Sequence, residues 1–593
     1  MASSEETTRR GPYKGTSRRL VVSIDVGTTF TAASFCILQP GSVPKFEEIL
    51  RWPKQAVPDA KVPSVLYYDT DDKACAFGAE TDDEDTIIKA EEEEWRKTEW
   101  WKLHLRPSHL PIIKDLKLPS LPANVTVDDI FADHLGYVNR QVKEYITSTY
   151  GDGANIWDTL SPTMYVILTT PNGWEGSQQN RMRQAAIKAG LVDANGGQRV
   201  KFVSEAEAAV LYAADTGSVN DWLVQDGHLI ICDCGGGTID ITGYKITGTA
   251  PLRLEESSAS RCYLAGAVFV TEAAKTYLKT HLKTTEWDNE DAINKAVSSF
   301  DRSAKRKFEG PDSTSWIQLD GHKTLPKLNI TRGKMKISGE TMASFYAESL
   351  RCIKEGLDIA FENGQKMADK IILVGGLASS PYVYAELVKW GKDSGISVSR
   401  PDGPTTKAVA NGALAWHIDN AVTSRFARYH YGVEIRATHD PANKEHEGRE
   451  TYPDPHDGTA RILNVWSGIV KKNVKVEGGQ EFISSYRFIS DSDVETFERA
   501  VKVFVYRRAV PPLFTTFPGK ARYQPGFEVI CTVQADLKQC LNESPISVYP
   551  NGDGYRTINF EMCLSLGETE IAARMRWKED GEYKYSPASI AYE

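Results

Sequence analysis

The chain has 593 residues, 41% hydrophobic and 25% charged. That is an ordinary balance for a soluble globular protein, but the length is too great for one core and implies roughly three or four domains. The net charge of -10 disfavours nucleic acid as the main partner, because phosphate backbones recruit basic faces. A membrane partner is disfavoured too, because no apolar run approaches the roughly 20 residues of a spanning helix.

In chain order, residues 1–18 carry Arg9, Arg10, Lys14 and Arg18 without an apolar stretch. They read as a disordered basic tail and not as a secretory signal, and Glu5 and Glu6 argue against a transit peptide. Residues 20–38 read as strand, turn and strand, and 62–68 as a further strand. Residues 87–105 read as a helix with a solvated acidic face at 91–94 and anchors at Trp95, Trp100 and Trp101. Helical spacing of Ile130, Phe131, Leu135, Val138, Val142 and Ile146 predicts a helix over 127–150. A strand at 164–169 precedes a helix at 178–190 closed by Gly190, then a short strand ends at Val203 before a helix at 205–214.

The strand–turn–strand pattern recurs at 229–246. Helical patterns follow at 265–278, 290–308 and 339–362. A third strand–glycine turn at 371–376 leads through Pro381 to a helix at 382–392, and a small-residue helix covers 407–418. Beyond residue 424 the pattern alternates at 462–466, 482–488, 501–506, 527–533, 558–564 and 571–577, which predicts an antiparallel β-sandwich-like domain. The polar stretch 438–458 reads as a loop. The nine cysteines are odd in number and scattered, a usage that fits free thiols in a reducing, cytoplasmic setting. Cys232 and Cys234 share one side of a strand, but no second Cys or His pair accompanies them as a zinc site requires.

The chemistry concentrates in two turns. They read Ile24-Asp25-Val26-Gly27-Thr28-Thr29 and Asp233-Cys234-Gly235-Gly236-Gly237-Thr238, each directly after an apolar strand. Glycine lets backbone N–H groups approach an anion closely, the threonines add hydroxyl donors, and each Asp offers oxygen to a hard cation or its waters. Two such turns imply a clamp on a nucleotide's triphosphate. The G-x-x-x-x-G-K-[ST] phosphate loop is absent. So is a Rossmann fingerprint, because Gly235 to Gly237 lead back into a strand.

Paired hairpins of this kind are similar to those of the actin, hexokinase and 70-kDa heat-shock superfamily. Residues 19–418 resemble the nucleotide-binding domain of 70-kDa heat-shock proteins through both turns, the Ser204-Glu205-Ala206-Glu207-Ala208-Ala209 segment, Ala304-Lys305-Arg306 and Leu373-Val374-Gly375-Gly376. The resemblance implies an α/β, two-lobed actin-like (ribonuclease H-like) nucleotide-binding fold, with lobe I at 19–205, lobe II at 206–385 and return helices with a connector at 386–424. A β-rich domain at 425–593 would follow. It implies ATP/ADP and Mg²⁺ as ligands. Asp25 and Asp233 would hold the metal mainly through water. Gly27, Thr28, Thr29, Gly235, Gly236, Gly237 and Thr238 would bind phosphate, Glu205 would position the attacking water, and Lys305, Arg306, Gly375, Gly376 and Leu377 would frame adenosine.

Departures from the family bear on turnover. Its phosphate-contacting lysine has no counterpart in Phe77-Gly78-Ala79-Glu80-Thr81-Asp82-Asp83, where Lys89 and Lys102 are the candidate replacements. The arginine after the adenosine glycines is replaced by Leu377-Ala378-Ser379-Ser380, and Leu264-Ala265-Gly266-Ala267 keeps one glycine of two. The acidic linker, the helical lid and the terminal Glu-Glu-Val-Asp are missing, a pattern most similar to the divergent, lid-less twelfth branch of that family. The resulting expectation is a chaperone-like ATP-binding protein with slow Mg-dependent hydrolysis, coupled to a C-terminal β-domain that engages a protein client or partner. A non-hydrolysing ATP sensor or scaffold is the alternative. A small-molecule kinase of the same superfamily is a minor one, and an actin-like filament former a lesser one.

Overall fold

The computed structural model describes residues 10–108, 110, 118–174, 176–216, 222–249, 252–362, 368, 370–400, 408–454, 457–477, 480–491, 494–549, 552–566, 571–587 and 589–590. Residues 1–9 of the expected tail, Lys407 of the 407–418 helix and residues 455–456 of the 438–458 loop lie outside the described residues. The chain is a mixed α/β protein and divides into two units, Met1–Trp174 with Arg181–Val422, and Glu175–Asn180 with Thr423–Glu593.

The first unit contains two sheets of one design. In the first, the order is Glu47–Glu48, Phe30–Leu38, Arg19–Val26, Tyr165–Thr170, Val200–Ser204. Arg19–Val26 pairs antiparallel with Phe30–Leu38 and parallel with Tyr165–Thr170, which is parallel to Val200–Ser204. In the second, Leu252–Glu256, Ile239–Thr249, His228–Cys234, Lys370–Val374 and Ser397–Ser399 repeat that order and those directions. Central strands covered on both faces read as continuous apolar runs, and Val21, Val22, Ile24 and Val26 are accordingly buried, as are Leu229, Ile230 and Ile231.

Alternation along these strands divides the cores. Leu20, Val22 and Ile24 join the core that holds Ile130, Phe131, Leu135 and Val138 of the helix Val127–Thr149. Ile230, Cys232 and Cys234 join a second core with the helices Ala267–His281 and Gly339–Glu362. The opposite faces, represented by Val21 and Ile167 in one sheet and Leu229, Ile231, Ile372 and Val374 in the other, share a third core with the helices Glu205–Asp215 and Ala408–Asp419. These two helices pack through small residues. A Cβ added to Gly412 would overlap the Ala208 carbonyl oxygen, and Ser23 Oγ donates to the Ala410 carbonyl at 2.8 Å.

Four expectations are corrected. Residues 62–68 form two strands, Lys61–Pro63 and Leu66–Tyr68, in different sheets. Residues 87–105 do not form one helix. The helix Glu84–Glu92 ends, Glu94 and Trp100 take left-handed φ of 54° and 53°, the strand Arg96–Thr98 pairs with Leu66–Tyr68, and Trp101–Leu105 form a 3₁₀ turn. The helix at 290–308 passes through a π turn at Phe300–Ala304. The end of the basic tail is anchored, not free. Arg10 donates to Asp419 at 2.8 and 2.6 Å and to Asp215 at 3.1 Å, and its guanidinium lies 4.4 Å from the centre of the Phe46 ring. Both carboxylates sit at the C-terminal ends of the two packed helices, where a cation also complements the helix dipoles.

His134, fully buried on Val127–Thr149, shares a 2.7 Å hydrogen bond with Thr31 Oγ1. Burial pushes its pKa down to about 3. The unfolded chain therefore binds a proton below pH ~6.5 that the folded chain refuses, so stability is fully present above that pH and declines as pH falls toward 3. This group should cost the fold about 1.4 kcal/mol between pH 7.5 and 5.5. Chemical denaturation at the two pH values is expected to show that loss, and His134→Gln should flatten it by a comparable amount.

In the second unit, one antiparallel sheet runs Tyr452–Pro453, Ala460–Val470, His430–Thr438, Glu498–Tyr506, Phe527–Asp536. A second is built on Glu481–Asp491, Gly554–Leu566, Ile571–Glu579 and Glu582–Tyr585. Inward residues of both, among them Val503, Val505, Cys531 and Val533 with Phe560, Met562, Leu564 and Met575, form one core. The 438–458 stretch contains a 3₁₀ turn at Lys444–His446 with His446 buried. Among the described residues no helix is long and apolar enough to cross a membrane.

Candidate functional site

Each hairpin turn is closed by one backbone bond across the loop. Gly27 N donates to Phe30 O and Gly235 N to Thr238 O, both at 2.9 Å. The second turn is also held from behind, because the N–H groups of Gly266, Ala267 and Val268 at the start of Ala267–His281 donate to the carbonyls of Gly237, Gly235 and Gly236 at 2.9–3.1 Å. The retained glycine of the 264–267 segment is required there, since a Cβ on Gly266 would stand 2.6 Å from the carbonyl carbon and oxygen of Gly236.

The tips of the two turns meet. A Cβ on Gly236 would lie 2.7 Å from Thr29 Oγ1, and one on Gly237 would overlap Thr28 Oγ1. The strands behind them deliver Asp25 and Asp233, 5% and 4% exposed. Asp25 Oδ1 accepts from Thr169 Oγ1 at 2.7 Å. Asp240, directly opposite Asp233 in the hairpin, accepts from Asn172 N at 2.6 Å, while its Oδ2 has no partner. Ser204 ends a strand and caps the next helix through the Glu207 N–H, which sets Glu205 at the helix start.

Four carboxylates thus converge in a nearly dry place. Burial, then the charges of Glu205, Asp240 and Asp25, hold Asp233 well above the ordinary carboxylate range. Burial raises Glu205 as well, against the pull of Lys102, and it lifts Asp240 to about 7. Such a cluster calls for cations. Among the described residues no three acidic, His or Cys side chains are placed to ligate one ion directly. The donor chemistry of Asp25 and Asp233, two buried carboxylates beside hydroxyl-rich turns, fits a hydrated Mg²⁺ gripped through its waters.

Two lysines reach this cluster. Lys102 Nζ donates to Glu205 Oε1 at 2.7 Å, and the charge of Lys61 is felt at Glu205 and Asp233. Lys89, the other candidate replacement, is exposed and faces Glu93 at 3.8 Å, so it is not at the site. Lys61 was missed because its strand carries no motif. Only the pairing of Lys61–Pro63 with Phe30–Leu38 brings it beside the first turn.

Of the adenosine-side residues, Gly375 has φ +89° and packs on Asp233, while Gly376 faces open space. Leu377 is buried in the apolar core. Lys305 Nζ is bound to Asp301 at 2.7 Å and Thr271 at 2.8 Å, whereas Arg306 is exposed. The segment that carries both is tied to the turn after Gly376 by Tyr382 N donating to Phe308 O at 3.2 Å and by the Phe308, Tyr346 and Tyr382 rings. Cys232 and Cys234 have sulfurs 3.5 Å apart, both buried on one side of the strand.

A chain with two like sheets, each ending in an Asp–Gly–Thr hairpin, is similar in motif order to 70-kDa heat-shock proteins. The similarity extends over most of the chain. It is 22% identical over 559 residues to mouse Heat shock 70 kDa protein 12A and to the human protein of the same name, covering 79% of this chain and 79% of each relative. No family model matches the chain.

Proposed function

We propose that this is a chaperone-like protein that binds ATP and ADP in a two-lobed, actin-like (ribonuclease H-like) domain and hydrolyses ATP slowly with Mg²⁺. Lobe I would span 19–205 and lobe II 206–385, with return helices at 386–424 and a β-sandwich-like domain at 425–593. One observation carries the reading: two turns of the same construction, on sheets of the same strand order, meet at their tips. The similarity to Heat shock 70 kDa protein 12A supports it.

In this reading the N–H groups of Gly236 and Gly237, with the hydroxyls of Thr28, Thr29 and Thr238, hydrogen-bond the phosphate oxygens from two sides, while Gly27 and Gly235 let the turns approach the phosphate closely and close them through their N–H bonds to Phe30 and Thr238. Asp25 and Asp233 accept hydrogen bonds from the waters of the metal, and bound Mg²⁺ supplies neutralisation of the phosphate charge. Glu205 accepts a proton-side hydrogen bond from the attacking water and fixes its line of approach. Gly375 and Gly376 let the chain pass under the nucleoside beside Leu377, and the Lys305–Arg306 helix flanks it. Nucleotide shifts the lobes only by its differential affinity for the closed arrangement. The β-domain receives that shift and presents a surface to a protein client or partner, and the free thiols among the described residues support a cytoplasmic setting.

Calorimetry with ATP and ADP, followed by single-turnover release of γ-phosphate on the same sample, tests this. The expected result is binding of both nucleotides and slow phosphate release that stops when EDTA removes the metal. Binding without release would leave the sensor reading in its place, and no binding would overturn the proposal.

A further inference from the structure

The chain ahead of the first strand is tied to both sheets. Tyr13 N donates to Ser42 O and Gly41 N to Tyr13 O, both at 2.9 Å, which lays the segment along the turn after Phe30–Leu38. The segment then runs directly into Arg19–Val26, so it moves with the first sheet. Its Arg10 reaches further, to Asp215 and Asp419, the last residues of Glu205–Asp215 and Ala408–Asp419. Those two helices form the contact between the sheets. Ala408–Asp419 lies against Arg19–Val26, Phe30–Leu38 and Tyr165–Thr170 of the first, and Glu205–Asp215 against His228–Cys234 and Ile239–Thr249 of the second. Just past Asp419 the chain is bonded to the second sheet. Asn420 O accepts from Arg253 Nη1 and Ala421 O from Leu254 N, both at 2.9 Å. The helices themselves meet through Ala208 and Gly412, a smooth contact of the kind along which packed helices slide.

We propose that Arg10 is a clasp that holds the two sheets in the arrangement where the turn tips touch, and thereby slows the escape of bound nucleotide. The inference rests on the nucleotide reading above. Nucleotide held between two turns leaves when the tips part, and parting them slides one helix over the other. That motion pulls Asp215 and Asp419 away from an arginine fixed to the first sheet. Arginine suits the role, because its planar fork bonds two acceptors at once and never loses its charge. The guanidinium is also sheltered. Its side chain is 11% exposed, and Phe46 covers one face, so water competes weakly for its donors. Both carboxylates are about one-third exposed, which keeps the clasp releasable.

A clasp differs from a simple prop in what it controls. A prop sets the melting point alone, whereas a clasp sets the rate at which ligand leaves. Release of a fluorescent ADP, chased by excess unlabelled ADP in the presence of Mg²⁺, is followed by stopped flow. The intact chain, Arg10→Met, Asp215→Asn and the double variant are compared, with melting curves on each. Arg10→Met keeps the apolar stem and removes the charge, and it should speed release about fivefold, the effect of losing a sheltered charge-assisted bond. Asp215→Asn should speed it about threefold. The double variant should exceed Arg10→Met by no more than about twofold, because both changes remove one shared bond. Should Arg10→Met unfold at the assay temperature, Asp215→Asn against the intact chain carries the test with the same expectation.

Release unchanged in Arg10→Met or Asp215→Asn, whether or not melting shifts, would overturn this inference alone. So would effects that simply multiply in the double variant. An intact chain that binds no ADP would overturn it together with the reading on which it rests.

Discussion

Gly412→Ala is expected to destabilise the first unit by about 2 kcal/mol, although alanine is the better helix former. The propensity gain is worth about 1 kcal/mol. Against it stands the Ala208 carbonyl, which a new Cβ would overlap, with Ala208 Cα 3.0 Å away. The obstacle is backbone, so no rotamer change relieves it, and overpacking of that kind costs about 1–3 kcal/mol or more. The helices must part, and the one pushed aside carries Glu205 at its start. Denaturant unfolding should show the drop in midpoint, with ATP affinity falling too. An unchanged midpoint would mean that the two helices are not packed as described.

Gly375→Ala should be the most damaging single methyl at the site. Its φ of +89° is a conformation that L residues rarely adopt, and the added carbon would overlap Asp233 Oδ1 and stand 2.5 Å from the Cys234 carbonyl oxygen. Strain and displacement together should cost about 2 kcal/mol of stability, and ATP affinity should fall about tenfold because Asp233 is pushed from its place. The neighbouring Gly376→Ala provides the contrast. Nothing lies within 4 Å of its Cβ position, so its melting curve should match that of the unaltered chain. Equal behaviour of the two variants would contradict the geometry of the turn.

The parts that were legible in the sequence are those set by local chemistry. Each Asp–Gly–Thr turn declares itself because a β-branched run, a glycine and a hydroxyl residue are contiguous, and the hairpins Arg19–Val26 with Phe30–Leu38 and His228–Cys234 with Ile239–Thr249 follow. Helices with regular apolar spacing, such as Val127–Thr149 and Gly339–Glu362, were equally readable. Residues 87–105 were not. Their acidic and aromatic spacing fits a helix, but pairing of Arg96–Thr98 with Leu66–Tyr68 is a non-local gain that window-based reading does not register.

That same departure decides the site. The left-handed Trp100 starts the turn that carries Lys102 inward, while Lys89 stays on the exposed helix Glu84–Glu92. The sequence offered both lysines and no means of choosing. Arg10 is a similar case: a basic tail has no visible partner until folding brings Asp215 and Asp419 together. Lys61 likewise acquires its neighbours only through strand pairing.

The central claim is that one polyphosphate is held jointly by both turns. Titration of Mg-ATP into the intact chain, Thr28→Val and Thr238→Val measures this directly, since each change removes a hydroxyl from one turn while keeping side-chain shape. The account predicts a single site whose affinity falls about tenfold with either change. A site that responds to only one turn, or no saturable binding at all, would contradict it.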